Sequence, residues 1–525
     1  MTPSEESFHL VSQASGRQVL KAIAARFSTR REPLPNRKTI YYDTFDWRLH
    51  GAGSVLEATT DDRTTTLRWQ TLDGRLRERL QLNGVPAFAW DLPAGSLRNA
   101  LSPLVEMRRL LPVVCLEASG EALQILDENR KTVARVVVEK SSARQPDETG
   151  QRRSLPLTLR AIPVKGYQKA FTSLLQFLSD QSQLELVPSR PLVLALAAVN
   201  RQPGDYSSKL DLRLEPDQRA DEALQQIFRS LLRTISANEP GLRSNLDSEF
   251  LHDFRVAVRR TRSALSQLKE IFPDKLTSEF RQEFTWLGKI TGPTRDLDVH
   301  LLKMADYRAL LPGQVRANLE PLTEFLERHR DLEHRKMVRA LEGQRYRHLI
   351  DRWQAFLDQP PADDERPRNA ATPIGKLASR RIWKAYRRVL EKGEAIIAET
   401  PPEALHRLRI EAKKLRYLLE FFRSLYDTEE IGRLVRALKQ LQDNLGDFND
   451  LVVQQATLAR FAQQMVDDRL EPAETLMAMG RLQERLEAGQ EGERENFHRR
   501  FTQFSARSNR QRFRRLFKRE ETSER

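Results

Sequence analysis

The chain has 525 residues, enough for two or three domains, and its 87 lysines and arginines outnumber its 73 aspartates and glutamates. The formal net charge of +14 favours anionic partners, although charge alone does not select which anion. A single cysteine, Cys115, excludes an internal disulfide and a cysteine-based zinc site. No window approaches the roughly 20 apolar residues of a membrane span, and no signal-peptide pattern is found. We therefore expect a cytoplasmic protein with no membrane partner.

The first 200 residues have the pattern of an antiparallel sheet, with short runs that alternate in polarity or are rich in β-branched residues. These runs are 55–58 (VLEA), 64–69 (TTTLRW) and 132–139 (TVARVVVE). Three segments resemble the CYTH fold of triphosphate tunnel metalloenzymes, namely 41–49 (YYDTFDWRL), 67–72 (LRWQTL) and 77–80 (RERL). The resemblance implies that residues 1–200 form an antiparallel β-barrel or tunnel-like domain.

Active members of that family need carboxylates that hold a divalent metal on the substrate. Here the strands expected to carry glutamates read FHLVS at 8–12 and LPLTLR at 155–160, and 56–59 reads LEAT in place of an L-R-x-R strand. We therefore expect a degenerate domain with no catalytic residues, no metal and no cofactor. The basic residues left for an anion site are Lys38, Arg68, Arg77, Arg79 and Lys165. Our expectation is that these are ordinary strand-face charges.

The C-terminal part of the chain contains an internal repeat. Residues 251–262 (LHDFRVAVRRTR) and 405–416 (LHRLRIEAKKLR) share the pattern L-H-x-x-R-x-x-x-[RK]-[RK]-x-R. The match continues from 287–298 to 438–449 at nearly the same spacing. Such duplication predicts two homologous helical units in tandem. We therefore predict an α+β multidomain protein, with the β-domain followed by an all-α tandem of two four-helix bundles.

The boundaries follow from hydrophobic periodicity and from proline and glycine positions. The helical domain is predicted at 215–510, with halves at 215–350 and 370–510 that are joined by a polar linker at 359–367. A basic C-terminal tail is predicted at 511–525. The eight amphipathic segments are 217–238, 247–272, 278–308, 315–345, 372–398, 402–425, 429–466 and 472–504.

On a helical wheel, each repeat places a basic stripe beside an apolar stripe. A single basic stripe is usually solvated, but two copies with the same offsets indicate a shared role. The candidate residues of the first repeat are His252, Arg255, Arg259, Arg260 and Arg262. Those of the second repeat are His406, Arg409, Lys413, Lys414 and Arg416. Arg260 and Lys414 lie off both stripes.

These duplicated helices, together with the RDLD motif at 295–298 and the GDFND motif at 446–450, resemble the CHAD domain. The resemblance implies binding of inorganic polyphosphate in a basic cavity between two four-helix bundles, in some members at polyphosphate granules. Polyphosphate suits a rigid cationic surface, because arginine and lysine form charge-assisted hydrogen bonds with phosphate oxygens.

Further residues are assigned supporting roles. Asp296 and Asp447 are predicted to orient neighbouring basic side chains. A metal site at Asp296, Asp298 and His300 is not expected, because the second repeat lacks the third ligand. Possible additional polyphosphate contacts are Arg380, Lys384, Arg387, Arg388 and Lys439.

The function predicted from the sequence is polyphosphate binding without catalysis. One alternative is a CYTH-type inorganic triphosphatase in which the helical domain binds substrate. Another is a nucleic-acid-binding or scaffold protein. Nucleic acid is the less favoured ligand, because the basic stripes lack the aromatic side chains on which bases stack. The sequence gives no prediction of oligomeric state.

Overall fold

The structure is a computed structural model, and it describes residues 6–10, 13–61, 64–146, 151–182, 184–187, 191–359, 367–397, 399–468 and 472–518. The chain divides into two compact units, Met1–Ser207 and Ser208–Arg525. The predicted linker at 359–367 lies almost wholly outside the described residues. Residues 11 and 12, the last two of the FHLVS segment, also lie outside them.

The described part of the N-terminal unit contains ten strands in one antiparallel sheet. They are β1 (Glu6–Leu10), β2 (Thr29–Asp43), β3 (Ser54–Asp61), β4 (Thr64–Thr71), β5 (Leu76–Leu82), β6 (Leu111–Leu126), β7 (Thr132–Arg144), β8 (Arg153–Ser154), β9 (Thr158–Pro163) and β10 (Leu184–Val187). The strand order is β10-β1-β9-β7-β6-β2-β3-β4-β5, and β8 pairs with β7.

The helices of this unit are α1 (Gln13–Arg26), α2 (Arg48–Gly51), α3 (Ser96–Val105), α4 (Gln168–Ser179) and α5 (Pro191–Ala198). They pack on both faces of the sheet, since α3 packs with Leu56 of β3 and α5 packs with Val55, the neighbouring residue. Alternate strand residues such as Phe8, Val136 and Leu159 are buried in one core cluster with Phe171 and Leu174 of α4. Because successive strand residues point to opposite faces, the intervening polar residues lie on the other face of the sheet.

The second unit is helical throughout its described regular structure. Its helices are α6 (Ala220–Arg243), α7 (Ser248–Gln267), α8 (Asp274–Ile290), α9 (Gly292–Leu302), α10 (Met304–Leu310), α11 (Glu320–Glu342), α12 (Gln344–Asp358), α13 (Ile374–Glu394), α14 (Pro402–Phe421), α15 (Thr428–Asp467), α16 (Ala473–Phe504) and α17 (Arg507–Phe517). An antiparallel β-domain followed by an all-α region confirms the predicted fold class.

The two repeats differ at one helix. The segment predicted as one helix at 278–308 is divided into α8, α9 and α10, whereas its counterpart α15 is continuous. Pro293 stands in the first turn of α9 and has no N–H to continue α8. Asn444 occupies the matching position in the second repeat, where the backbone hydrogen bonds continue. The prediction of a single helix at 278–308 was therefore wrong.

Two further boundaries also needed correction. The predicted segment 315–345 ends at Gly343, after which α12 begins a new helix. The first residues of the predicted basic tail belong to α17, which packs through Phe513 and Phe517. Phe513 stacks on Tyr386 of α13 with ring centroids 3.7 Å apart. Residues 519–525 lie outside the described residues.

The two halves of the helical unit share one hydrophobic core cluster. Leu322, Phe325 and Leu326 of α11 are buried together with Phe461 of α15 and Leu482 of α16. The rings of Phe325 and Phe461 meet edge to face at 5.7 Å. Each half therefore completes part of the other's core, in contrast to two independent bundles.

Candidate anion-binding groove

Helices α7, α8 and α14 surround an open groove of about 800 Å³, with one residue of α12 at its edge. Seven of the fourteen described residues that line it are basic, and none of the fourteen is acidic. Both repeats contribute to this set. The basic residues are Arg259, Arg262, Arg281, Lys289, Arg345, Lys413 and Lys414.

The sequence of α7 explains how its arginines reach the groove. Asp247 caps the helix by accepting hydrogen bonds from the backbone N–H groups of Glu249 and Phe250. Leu251, Phe254 and Val258 are buried, as the predicted apolar stripe required. Arg259 and Arg262 lie beside that stripe and line the groove.

Five groove cations have no hydrogen-bonded or ion-paired acceptor within the described residues: Arg259, Arg262, Arg281, Lys289 and Lys413. Burial, together with the charges of Arg409 and Arg259, lowers the pKa of Lys413 to about 8. Burial also lowers the pKa of Arg262, with a second contribution from Arg259. These cations come from both repeats and repel one another. An anion bound between them would offset that repulsion.

Arg255 has a supporting position behind the groove. Its guanidinium donates hydrogen bonds to the carbonyl oxygen of Gly288 at 2.8 Å and to Oγ1 of Thr291 at 2.9 Å. Burial, together with the charge of Arg259, lowers the pKa of Arg255 to about 10. These bonds fix α7 against the junction of α8 and α9. Arg255 is absent from the groove lining in the described structure.

Glycine at position 288 gives the groove arginines room. A Cβ atom there would lie 3.3 Å from Nη1 of Arg262, which is closer than most such contacts. Lys439 occupies the matching position of the second repeat, and it pairs with Asp443 at 3.2 Å. Lys439, predicted as an additional contact, is not among the described lining residues.

Arg260 and Arg416 are joined by one carboxylate. Arg260 Nη2 lies 2.7 Å from Glu420 Oε2, and Arg416 Nε donates to Glu420 Oε1 at 2.6 Å. This pair links α7 to α14, and neither arginine lines the groove among the described residues. Arg260 therefore makes a contact between the repeats, and Arg416 holds the shared carboxylate from within α14, although the sequence predicted ligand contacts for both arginines.

Two other predicted residues of α14 also have carboxylate partners. Arg409 Nη2 lies 3.3 Å from Asp450 Oδ1, and Lys414 Nζ lies 3.0 Å from Glu411 Oε1. Lys414 still lines the groove, whereas Arg409 does not within the described residues. Among the predicted residues that line the groove, the first repeat thus contributes two guanidinium groups and the second contributes the ammonium of Lys413, all without a carboxylate partner within the described residues.

The two histidines have different partners. Nδ1 of His252 accepts a hydrogen bond from Arg295 Nη2 at 3.0 Å, because an arginine can only donate. Nδ1 of His406 donates to Oδ1 of Asn449. His406 is exposed and His252 is half-buried, but neither is among the described lining residues of the groove.

The two aspartates that were predicted to orient cations also differ. Asp296 has the predicted neighbours: burial raises its pKa, and the charges of Arg255 and Arg295 oppose that rise. Asp447 lines a small pocket with Asp443 and Glu493, and burial together with Glu493 raises its pKa. Asp447 also has basic neighbours, since Lys303 opposes the rise of its pKa and Arg500 lines the same pocket, so an orienting role stays a prediction for both aspartates.

The basic residues predicted on α13 stand outside the groove lining. Arg380, Lys384, Arg387 and Arg388 are all exposed on that helix. Arg380 donates a hydrogen bond to Oδ1 of Asn369 at 3.0 Å. These residues form a second basic surface.

The lining residues that sequence reasoning missed include three cations and one large aromatic residue, namely Arg281, Lys289, Arg345 and Trp286. Arg281, Thr285 and Lys289 recur at intervals of four along α8, which was the available signal. The Arg345 guanidinium lies 4.4 Å from the Trp286 ring centroid and is held by two hydrogen bonds to Glu283. The groove therefore also contains aromatic surface.

In the N-terminal unit, the polar sheet face carries paired charges. Tyr41, Glu57, Arg68 and Arg79 are successive neighbours in register across β2 to β5. Arg68 lies 3.5 Å from Glu57, and burial raises the pKa of Glu57. On β7, Glu139 is within 3.2 Å of both Arg37 and Arg160.

The other basic residues considered for this domain are dispersed. The Arg77 guanidinium lies 4.8 Å from the Trp69 ring centroid, and Lys165 is exposed in a turn. Lys38 directly follows Arg37 on β2, so its side chain points to the opposite face of the sheet. Among the described residues, no cluster of three or more metal-ligating side chains was found, and no helix is long and apolar enough to cross a membrane.

The CHAD domain family model matches residues 226–459, within the predicted helical domain. Two uncharacterized proteins from two strains of Mycobacterium tuberculosis are each 29% identical to this chain over 214 residues. That match covers 40% of this chain and 40% of each relative, so the chain spans less than half the length of these curated relatives.

Three solved structures are similar to parts of the chain. The CHAD domain from the plant Ricinus communis is 24% identical, covers 56% of this chain and 94% of its own, and gives a TM-score of 0.46. PptA from Streptomyces chartreusis is 16% identical, with 54% and 100% coverage and a TM-score of 0.41. A Bacillus halodurans protein described as a candidate adenylate cyclase is 16% identical, with 35% and 91% coverage and a TM-score of 0.25.

Proposed function

Because residues 226–459 form a CHAD domain, we propose that the helical unit binds inorganic polyphosphate in the groove between α7, α8 and α14. The observation that carries the proposal is the composition of the groove: seven basic residues from both repeats, and no acidic residue among its described lining. Association with polyphosphate granules is part of the same proposal.

The chemistry of polyphosphate fits this surface. The ligand has about one charge per phosphate and no bases, so it requires closely spaced donors and no sequence readout. Arginine offers a planar fork of donors for phosphate oxygens, and lysine adds a compact charge. Arg259 and Arg262 lie on a helix whose other face is packed in the core. Within the described residues neither arginine has a hydrogen-bond acceptor, so neither has to give up a protein contact in order to bind phosphate. Binding would also release counterions, so affinity should fall as salt rises.

The test is a titration of the full chain with tripolyphosphate and with long polyphosphate at one fixed salt concentration. We expect the double variant Arg259→Ala/Arg262→Ala to lose about 3 kcal/mol of binding free energy or more, given about 1.5–3 kcal/mol per charged hydrogen bond. The matched control is Arg481→Ala/Arg485→Ala, which removes two exposed arginines of α16 outside the groove. Equal affinity of the folded groove variant and the control variant for both ligands would refute the proposal.

Single-stranded nucleic acid is a second candidate, because Trp286 and Tyr417 line the groove. Bases stack on exposed aromatic rings, and each stacked base contributes about 1–3 kcal/mol. One face of Trp286 is covered by Arg345, which favours polyphosphate as the ligand. Competition between long polyphosphate and single-stranded DNA of equal charge separates the two ligands. Displacement of polyphosphate by DNA at equal concentration would favour the nucleic-acid function.

A triphosphatase activity of the N-terminal unit remains the enzymatic alternative. Glu57 and Glu139 lie on the polar face of the sheet, and each is ion-paired with arginine. A carboxylate already neutralised by arginine is a poorer ligand for a divalent metal. We therefore propose that polyphosphate is bound by the protein without being hydrolysed.

A further inference from the structure

We infer that a basic track on α13 continues the groove, and that it gives long polyphosphate a higher affinity than a chain confined to the groove. The track comprises Arg381, Lys384, Arg388 and Lys392. This inference rests on the proposed function, because it assigns a path to the part of the ligand that extends beyond the groove.

The groove and the track meet at Lys414. Its ammonium lies 3.0 Å from Glu411 Oε1, and Lys392 of α13 reaches the same oxygen at 3.2 Å. Gln267 holds the end of α7 at this point by donating to Oγ of Ser263 at 2.7 Å and to the carbonyl oxygen of Lys414 at 3.4 Å. Ser263 and Lys414 both line the groove, so its wall extends directly to α13.

The four residues of the track follow one edge of α13. Their spacings of three and four residues place them on the same side of the helix, over about 16 Å at 1.5 Å per residue. At the other end of the track, Arg381 Nη2 donates a hydrogen bond to the carbonyl oxygen of Lys269 at 3.3 Å, two residues after α7 ends. The track therefore contacts α14 through Glu411 and the segment after α7 through Arg381.

The charges of the track are available for a ligand. Lys384 and Arg388 are exposed and have no acceptor within the described residues. Burial lowers the pKa of Arg381, and Arg380 and Arg388 contribute repulsion to that effect. Glu411 partly neutralises the junction, whereas the middle two cations of the track, Lys384 and Arg388, have no carboxylate partner within the described residues.

A polyphosphate chain is the occupant that fits this arrangement. The groove and the track are continuous and cationic, and the exposed part of the track consists of flexible lysine and arginine side chains. A ligand already held in the groove reaches α13 at a high effective concentration, so even weak contacts there add affinity. Tripolyphosphate is too short to contact both regions, so only long chains gain from the track.

A control variant removes the same number of charges from another helix. The track variant is Arg381→Gln/Lys384→Gln/Arg388→Gln. The control variant is Arg481→Gln/Arg485→Gln/Arg499→Gln, which removes three exposed arginines of α16 outside the groove lining. Both variants lower the net charge by the same amount, so they differ in the position of the lost charges.

The experiment compares the affinities of wild type and both variants for tripolyphosphate and for long polyphosphate, without metal, at several salt concentrations. We expect the track variant to lose at least tenfold in affinity for the long chain while its affinity for tripolyphosphate stays within twofold. The log-log salt slope for the long chain should fall by about 2, taking about 0.7 per lost contact. The control variant should keep the wild-type preference for long chains.

The outcomes separate the two proposals. If the wild type binds neither tripolyphosphate nor long polyphosphate, the proposal that the groove binds polyphosphate is rejected. Tripolyphosphate binding with an equal loss of long-chain affinity in both variants would reject the track and leave the groove intact, because general charge would then explain the effect.

Discussion

The affinity of the groove for polyphosphate should fall as the pH rises above about 8, because Lys413 loses its proton there. Burial lowers the pKa of this lysine from 10.5 to about 8 in the free protein. Arg409, Arg259 and Arg416 oppose its positive charge, and Asp450 favours it. A bound polyanion favours the ammonium form, so binding raises the pKa toward its ordinary value.

The sign and size of the effect follow from proton linkage. Below pH 8 the free lysine is already charged, and binding requires no proton. Above pH 8 binding takes up one proton, so affinity decreases with rising pH until the pKa of the complex is reached. If that pKa returns to 10.5, the affinity falls about tenfold between pH 7 and pH 9, or about 1.4 kcal/mol.

Titrations with tripolyphosphate near pH 7, 8 and 9 at constant ionic strength measure this directly. Calorimetry in buffers with different ionisation enthalpies reports the proton uptake independently. The control is Lys413→Arg, which keeps the charge throughout this range, so its affinity should stay nearly constant. A wild-type affinity that is independent of pH, or an equal decline in Lys413→Arg, would refute the reasoning.

Two other predictions concern the domains. The N-terminal unit should not release phosphate from tripolyphosphate in the presence of magnesium or manganese, because Glu57 and Glu139 are ion-paired with arginines. A turnover of about 1 per second or more would make the triphosphatase the leading function. Phe461→Ala should destabilise the helical unit by about 3–5 kcal/mol, as expected for truncation of a buried phenylalanine, measured by denaturant unfolding. For the same reason the halves 215–350 and 370–510 should not fold when expressed separately, and a cooperative unfolding transition of either half alone would contradict the shared core.

The helix faces were predictable because they depend on local periodicity. All five apolar residues of each predicted stripe are buried, including Phe254 and Val258 in α7 and Leu408 and Leu415 in α14. A residue's place on a helix fixes which side it occupies, and burial of an apolar stripe follows from the hydrophobic effect.

The partners of the basic residues were not predictable in the same way. A cation on these helices can point into the groove or pair with a carboxylate of a neighbouring helix. Which of the two occurs depends on the angles at which α7, α8 and α14 cross, and the repeat pattern gives no information about those angles. Glu420 pairs with two of the predicted residues, Arg260 and Arg416, and lies on the same helix as only one of them. Arg281 and Lys289 were overlooked because the search relied on basic residues present in both repeats, and Lys289 is matched by Gln440; the intervals of four along α8 were nevertheless visible.

The missed helix boundaries also have physical causes. Pro293 lies where α8 would otherwise continue, so a break was indicated, but the apolar periodicity on either side of it resembles one long helix. In the predicted tail, the basic residues concealed Phe513 and Phe517, whose spacing of four places both on one face of α17. Abundant charge does not prevent a segment from packing when a few apolar residues share a side.

The core shared by the two halves bears on how the repeat arose. A single-repeat ancestor would have exposed the surface that Phe325 and Phe461 now cover, and pairing with a second copy is the usual way to bury such a surface. In a symmetric dimer, every substitution appears on both walls of the central groove at once. Fusion into one chain removes that constraint, so the first repeat could keep Gly288 beside Arg262 while the second acquired Lys439 at the matching position. The two sides of the present groove accordingly differ: α7 contributes the guanidinium groups of Arg259 and Arg262, and α14 contributes the ammonium groups of Lys413 and Lys414.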